Sequence, residues 1–181
     1  MRSLHLMAIA FLFVCSGSFA SVVDELISSE GPADSVALLI KNNCNSSLPV
    51  SVVKKIITHE SKSFYKGRPQ PWPWTLNING VGHYYASREQ ALVAARKVID
   101  DGAKKFGIGL GQIEWSFHKQ RFNGNLAMSL HPAKNIAVVC DILAEGLKDK
   151  RVDSLRSLVA YYHRPVLDRI AYQYADKVLA P

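Results

Sequence analysis

The feature that most constrains the fold is the spacing of apolar residues in the segment SVVKKIITHES, residues 51–61. Four apolar residues recur there at the three- and four-residue intervals of an amphipathic helix, namely Val52, Val53, Ile56 and Ile57. Glu60 continues the same stripe, because it follows Ile56 by four residues and Ile57 by three. A carboxylate on a buried helix face costs free energy unless it is paired, neutralised or placed in a cleft where a raised pKa is useful. The alternative is that the helix ends at this turn and Glu60 reaches solvent.

The composition indicates one compact domain and disfavours nucleic acid as a partner. The chain has 181 residues, a hydrophobic content of 48% and a formal charge of +7, which are values typical of a globular protein. Its basic residues are interspersed with acids, and it has neither an arginine-rich arm nor a nucleic-acid-binding motif, so we expect no nucleic-acid partner. A positive exported protein suits contact with an anionic polymer or membrane surface.

The amino terminus has the pattern of a signal peptide. Within residues 1–20, Arg2 precedes an apolar run from Leu4 to Val14, and the segment ends in Ser18-Phe19-Ala20. This arrangement predicts cleavage before Ser21 and export, and the apolar run is too short for a comfortable membrane span. We therefore expect residues 21–181 to form a single exported domain with no stable membrane span.

The cysteines support the same compartment. Cys15 lies in the signal segment, and Val14 precedes it where lipid attachment would favour a small residue, so the pattern favours a soluble product over a lipoprotein. The mature chain keeps Cys44 and Cys140, which are free to pair in an oxidising compartment. A Cys44–Cys140 disulfide is the prediction, and two separate buried thiols are the alternative.

Periodicity and turn residues predict a mainly α fold with one small inserted β-hairpin. Helical patterns cover residues 21–43 with a break at EGPAD, the Glu60 segment, and the segments 87–102, 132–147, 153–162 and 166–179. Asn79-Gly80 separates two strand-like runs, which is a strong hairpin signal. Residues 66–102 therefore read as an insertion in a helical domain, and residues 106–116 as a loop.

The buried face of the 87–102 helix is predicted from its spacing as Ala91, Leu92, Ala95, Val98 and Ile99. Ser87 followed by Gln90 resembles a capping box at its start.

Several familiar chemistries lack their residues. His59-Glu60 begins like the helical zinc motif H-E-x-x-H, but Ser63 stands where the second histidine is required. The glycine-rich stretch at Gly107–Gly111 lacks the strand and helix that flank a dinucleotide fingerprint, and the chain has no G-x-S-x-G nucleophile elbow. We expect neither a metal nor a cofactor.

Four short motifs occur in one order along the chain: Glu60-Ser61, GLGQI at Gly109–Ile113, Pro132 with Asn135-Ile136, and Ala160-Tyr161. Together they resemble the soluble lytic transglycosylase family, which has an α+β lysozyme-like fold, and the resemblance covers residues 49–162. The chain departs from the usual family pattern at three positions. Gly111 stands where the family usually has Met, Lys134 where it has an acid, and Tyr162 where it has Asn.

The resemblance implies roles for particular residues. Glu60 would be the general acid and base, and Ser61 would steady its carboxyl group or the substrate. The loop residues Leu110, Gly111 and Gln112 would hold a sugar. Tyr161 would lie near the acid. Asn135 would have the structural task of fixing the loop or the start of its helix.

The same resemblance implies a reaction and a setting. The reaction is cleavage of the β-1,4 bond between N-acetylmuramic acid and N-acetylglucosamine in peptidoglycan, with formation of 1,6-anhydromuramic ends and without a cofactor. The setting is the bacterial periplasm, where small members of this family open the wall for secretion, pilus or conjugation complexes. Two alternatives stay open: a non-catalytic peptidoglycan-binding or assembly protein on the same fold, and a hydrolytic lysozyme.

Trp72 and Trp74 lie in the inserted segment PWPWT, which resembles an insertion carried by some exported members of the family. We expect at least one of the two rings to face the glycan. The alternative is that the rings wedge the hairpin onto the helical body, because aromatic side chains bury a large area in either arrangement.

Overall fold

The computed structural model describes residues 32–65, 68–102 and 105–180, so the predicted signal peptide, residues 1–20, lies outside the described residues. The chain is mostly helical with small sheets. The helices are α1 (Pro32–Asn43), α2 (Val50–Ser61), α3 (Arg88–Asp100), α4 (Trp115–His118), α5 (Leu126–Ser129), α6 (Pro132–Gly146), α7 (Leu155–His163) and α8 (Arg169–Leu179). A 3-10 turn at Lys119–Phe122 follows α4. Among these described helices, none has both the length and the apolarity to cross a bilayer.

Two antiparallel sheets accompany the helices. The first pairs β1 (Lys62–Tyr65) with β2 (Arg68–Pro71) directly after α2. The second has the order β4-β3-β5-β6, built from β3 (Thr75–Ile78), β4 (Val81–Tyr84), β5 (Phe106–Ile108) and β6 (Ile113–Glu114). The predicted hairpin is confirmed as β3 and β4.

The turn of that hairpin explains why the Asn-Gly signal is reliable. Asn79 has a φ of 53° and Gly80 a φ of 85°, the left-handed pair that a two-residue hairpin requires. The prediction that one small hairpin is inserted, with residues 106–116 as a loop, is incomplete, because Leu76 of β3 pairs with Ile108 of β5. The glycine-rich segment read as a loop therefore contains two short strands, which complete the sheet.

The apolar stripe of α2 is in the core, as its spacing predicts. Val53, Ile56 and Ile57 have no exposed surface, and Val52 is buried. Helix α2 packs against α1 and α8, and α8 packs along α7. The carboxyl end of α2, which carries Glu60, is therefore surrounded by helices on one side.

Helix α3 begins as predicted but differs in detail. The Ser87 hydroxyl accepts a hydrogen bond from the Gln90 amide, whereas the Gln90 side-chain oxygen accepts from the Ala86 amide instead of from Ser87. Ala91, Ala95 and Val98 are buried, Leu92 is half-buried, and Ile99 is exposed. The prediction of a buried Ile99 is wrong, because in the last turn of the helix Val98 takes the inward position and Ile99 is 38% exposed.

The predicted disulfide between Cys44 and Cys140 is present. It joins the residue that follows α1 to the middle of α6, with a Cα–Cα distance of 5.4 Å and a sequence separation of 96 residues. Helix α6 turns an apolar face into the core, where Ile136, Val139 and Leu143 are fully buried.

Candidate active site

A cleft of about 500 Å³ lies between the helices and the four-stranded sheet. Glu60, Tyr162 and His163 contribute its helical wall, and Asn77, Lys105 and Gln112 belong to the opposite, sheet side. A cleft of this size and mixed polarity is within the range of small-molecule sites.

Glu60 lies at the carboxyl end of α2 and lines this cleft while half-buried. Its Oε1 accepts a hydrogen bond of 2.5 Å from the Tyr174 hydroxyl. Burial raises the pKa of Glu60 from 4.5 to about 7, and the hydrogen bond from Tyr174 opposes that rise without cancelling it. The carboxyl group can therefore both give and take a proton near neutral pH.

Two histidines enclose the tyrosine that contacts Glu60. The ring of His163 stacks on Tyr174 at 4.4 Å between centroids, and His59 meets the same ring edge-on at 5.3 Å. Burial is the main cause that lowers the pKa of each histidine, so both are neutral near pH 7. Burial likewise raises the pKa of Tyr174, so the phenol keeps its proton and remains a donor. The pocket around Tyr174 thus adds no charged histidine to stabilise an ionised Glu60.

Asn135 fixes the loop that faces Glu60 across the cleft. Its Oδ1 accepts a hydrogen bond of 2.7 Å from the Gly111 amide, and its Nδ2 donates to the carbonyls of Ile108 and Ser129 at 2.9 Å each. The Tyr162 hydroxyl donates to the Gly111 carbonyl at 2.6 Å. Because buried backbone groups must be satisfied, these contacts hold the loop in one conformation, in agreement with the structural role that the resemblance implied for Asn135.

The same contacts account for the glycine at position 111. A Cβ atom added to Gly111 would run into the Val139 side chain and would lie 2.8 Å from the Tyr162 hydroxyl oxygen. Any larger side chain at this position would displace one of these neighbours. Tyr162 occupies the space beside the loop, so Gly111 and Tyr162 belong to one local arrangement.

Gln112 lines the cleft in a strained conformation. Its φ is 47°, a left-handed value that is uncommon for residues other than glycine. Its Nε2 donates to the Gly109 carbonyl at 2.8 Å, and its Oε1 is buried with no hydrogen-bond partner among the described residues. Strain and an unsatisfied polar atom at one residue are features that concentrate at functional sites.

The structure brings together only part of the predicted sugar-binding set. Glu60, Gly111 and Gln112 line the cleft. Ser61 is fully buried, where its hydroxyl donates to the Ile57 carbonyl at 2.8 Å, and Leu110 is in the core. Neither Ser61 nor Leu110 lines the cleft, so the prediction of a substrate contact is wrong for the Ser61 side chain and for the loop backbone at Leu110.

Tyr161 is half-buried and does not line the cleft, whereas its neighbour Tyr162 does. Consecutive residues of a helix lie about 100° apart around its axis, so a shift of one position places the other ring in the site. The prediction for Tyr161 is corrected to Tyr162.

The two tryptophans pack within the protein. Trp74 is only 5% exposed, Trp72 is half-buried with its Nε1 donating to the Tyr85 carbonyl at 2.8 Å, and the rings meet edge to face at 5.5 Å. Neither ring lines the cleft. The expectation that one of them faces the glycan is wrong, and the alternative of an aromatic wedge under the hairpin describes them.

Some cleft residues carried no readable signal in the sequence. Tyr174 is 114 residues from Glu60, and no motif links the two. Glu114 also lines the cleft, where it is half-buried and its Oε1 accepts hydrogen bonds from the Phe106 amide and the Ser116 hydroxyl. Its position in β6 could have been inferred only from the sheet, which sequence reasoning missed.

In the described ranges 32–65, 68–102 and 105–180, no group of three or more histidine, cysteine, aspartate or glutamate side chains has the arrangement of a metal site. Comparison of the chain with protein-family models, with curated proteins and with solved structures gives no match.

The raised pKa of Glu60 makes the free energy of unfolding depend on pH. The folded state holds this proton more tightly than the unfolded state, so the contribution is complete below pH 4.5 and is lost as pH rises through about 7. Between pH 5 and pH 8, the free energy of unfolding of the wild type should fall by up to about 3 kcal/mol relative to that of Glu60→Gln. Urea unfolding of both chains at the two pH values measures this difference.

The matched control is Glu89→Gln, because Glu89 is exposed and its pKa is lowered instead of raised, first by its own backbone amide. For this pair the wild type should not lose stability relative to the variant as pH rises. A difference between wild type and Glu60→Gln that is the same at pH 5 and pH 8 would show that Glu60 titrates as an ordinary surface carboxylate.

Proposed function

We propose that this protein is a lytic transglycosylase of bacterial peptidoglycan with a lysozyme-like fold. The observation that carries the proposal is Glu60, a half-buried carboxyl group with a pKa of about 7 in a cleft large enough for sugar residues. A mainly helical body with a small sheet on one side of the cleft is compatible with that fold class. Export to the periplasm and service to a secretion, pilus or conjugation complex belong to the same proposal.

Glu60 would act twice in the reaction. Its protonated carboxyl group gives a proton to the glycosidic oxygen as the bond to the anomeric carbon of N-acetylmuramic acid breaks. The resulting carboxylate takes the proton of the 6-hydroxyl of the same sugar, and that oxygen forms the new bond to the anomeric carbon. The products are a free 4-hydroxyl on one fragment and a 1,6-anhydro end on the other. No water is consumed, and Glu60 ends protonated.

The loop supports this proposal by its rigidity. Glu60 faces a segment whose Gly111 amide and carbonyl are both hydrogen-bonded, so a sugar bound there would meet a preorganised surface. Preorganised positioning reduces the entropy lost on reaching the transition state.

Tyr174 has a positioning role in this scheme. Its hydrogen bond favours the ionised form of Glu60, so Tyr174→Phe should raise the pKa of Glu60 further. A hydrogen bond to a charged group is worth about 1.5 kcal/mol, which corresponds to about one pH unit. The alkaline limb of the pH profile of kcat/KM, which reports loss of the acid's proton, should move up by about that amount.

Tyr172→Phe is the control for this shift, because Tyr172 is on the same helix and faces the Arg156 guanidinium instead of Glu60. Its pH profile should match the wild type. If the alkaline limb of Tyr174→Phe is unchanged, Tyr174 has no role in the mechanism. If the alkaline limb shifts equally in Tyr174→Phe and Tyr172→Phe, the shift is a general effect of changing α8.

A hydrolytic lysozyme is a second candidate, and Glu114 is the observation that favours it. Glycosidases usually pair an acid with a second carboxylate, and Glu114 lines the same cleft as Glu60. However, its Oε1 already accepts hydrogen bonds from the Phe106 amide and from the amide and hydroxyl of Ser116. We therefore assign Glu114 to the support of β5 and α4.

Release of soluble fragments from purified sacculi tests the proposed activity. The mature chain should solubilise glycan fragments from sacculi, and the fragments should accumulate with time. Binding to sacculi without release would instead identify a non-catalytic wall-binding or assembly protein.

A further inference from the structure

Next to the cleft, an exposed aromatic ring contacts a lysine that lines it. Phe117, in the short helix α4, is 71% exposed. The Lys105 ammonium nitrogen lies 5.7 Å from the centroid of the Phe117 ring, and Lys105 lines the cleft. His118, the next residue of α4, also lines the cleft. An aromatic face, a cation and an imidazole are thus adjacent at the rim of the site that holds Glu60.

The ring of Phe117 stands on a firmly held support. Trp115 in the same helix stacks on Phe122 and lies tilted against Phe106, each at 6.4 Å between centroids. Phe106 and Phe122 are buried. These three rings fix α4 to the sheet, so the backbone that carries Phe117 is held in place.

His118 is held as a neutral donor. Its Nδ1 accepts a hydrogen bond of 3.2 Å from the Arg121 Nε, and Arg121 makes a two-pronged ion pair with Glu145, with both N–O distances at 2.8 Å. Burial, followed by the charge of Arg121, lowers the pKa of His118. Since Nδ1 is the acceptor of a neutral imidazole, Nε2 carries the proton.

Lys105 is available to an external anion. It is exposed, and within the described parts of the chain no carboxylate forms an ion pair with it. Its contact with Phe117 aligns the ammonium group with the ring that would carry the ligand.

We propose that Phe117, His118 and Lys105 form a subsite for a sugar whose substituent carries a carboxylate. This proposal rests on the proposed function. The face of Phe117 would stack on the apolar C–H face of the sugar, the His118 N–H would donate to a hydroxyl or an acetamido oxygen, and the Lys105 ammonium would pair with the carboxylate. In peptidoglycan such a carboxylate belongs to the peptide stem on muramic acid, so the site should prefer glycan that bears stems over bare glycan.

The test uses the Glu60→Gln chain as parent, so that ligands bind without turnover. The probes are a purified peptidoglycan tetrasaccharide with its peptide stems and, as the bare probe, the β-1,4-linked tetrasaccharide of N-acetylglucosamine. The bare probe has no carboxylate, whereas enzymatic removal of the stems would expose the lactyl carboxylate of muramic acid. Calorimetry should show tighter binding of the stem-bearing probe to the parent. Adding Phe117→Ala to the parent should raise the Kd of both probes about fivefold, as expected for the loss of one stacking contact.

Adding Lys105→Ala to the parent should raise the Kd of the stem-bearing probe about fivefold and leave the Kd of the bare probe unchanged. The preference for the stem-bearing probe should therefore disappear. Lys105→Arg should keep the preference, because it keeps the charge. Val93→Ala and Lys148→Ala are the controls, since these residues are exposed and do not line the cleft. Both should bind like the parent, and matching thermal melts confirm that all variants are folded.

The outcomes separate this inference from the function beneath it. Unchanged binding in both Phe117→Ala and Lys105→Ala overturns the subsite and leaves the proposed function standing. Equal binding of the two probes by the parent overturns the role of Lys105. A parent that binds neither probe overturns the proposed function together with the subsite.

Discussion

Replacing Glu60 with Gln should reduce the release of fragments from sacculi by at least about a hundredfold, the low end of what a general acid contributes. The substitution keeps the shape of the side chain and still accepts the hydrogen bond from Tyr174, but it removes the transferable proton. The half-buried position favours a neutral side chain, so the variant should fold and should bind sacculi as well as the wild type. Fragment release and sacculus pelleting measure the two properties on the same samples.

Glu114→Gln is the matched control, because it alters a second carboxyl group in the same cleft. An amide oxygen can accept the hydrogen bonds that Glu114 now accepts from Phe106 and Ser116, so activity should stay within a few-fold of the wild type. A Glu60→Gln variant that keeps comparable activity would contradict the role of Glu60. A loss in Glu114→Gln as large as in Glu60→Gln would favour the two-carboxylate mechanism of a hydrolase.

Loss of the Cys44–Cys140 disulfide should lower the free energy of unfolding by about 3 to 5 kcal/mol, because the bond closes a long loop in the unfolded chain. Cys140 is buried in α6, so the bond also ties α1 to the core. Urea unfolding of the wild type with and without reductant measures the effect. A Cys44→Ala, Cys140→Ala double variant should be insensitive to reductant.

Thiol titration gives an independent check on the same bond. A chain that begins at Ser21, denatured without reduction, should contain no reactive thiol. Two reactive thiols per chain, or an unfolding curve that reductant does not move, would show that the cysteines are separate.

Local patterns predicted the helices and the hairpin because their signals lie within a few residues. The stripe of α2 and the Asn79-Gly80 turn each contain all the information for their own structure. Strands β5 and β6 lacked such a signal, since β5 has three residues with a glycine in the middle and β6 has only two residues. They exist because Leu76 and Ile108 pair across the sheet, a contact that no local pattern encodes.

In the candidate site too, some features follow from the local sequence and others only from tertiary packing. The position of Glu60 on an apolar face follows from helical spacing, and its raised pKa follows from burial. Its partner Tyr174 comes from the last described helix, so only the packing of α8 against α2 brings the two together. Tyr174 was a site residue that the sequence did not reveal, whereas Trp74 was predicted for the site and lies in the core. An aromatic ring suits both sugar stacking and core packing, so the residue type alone does not distinguish them.

The identity of the new chain ends is the most direct measure of the proposed reaction. Purified sacculi would be digested with the protein in water labelled with heavy oxygen, and the fragments would be analysed by mass spectrometry. We predict 1,6-anhydro ends that are lighter by one water than reducing ends and that carry no label, because the 6-hydroxyl of the sugar replaces water as the nucleophile. Reducing ends that carry the label would contradict transglycosylation and would identify a hydrolase.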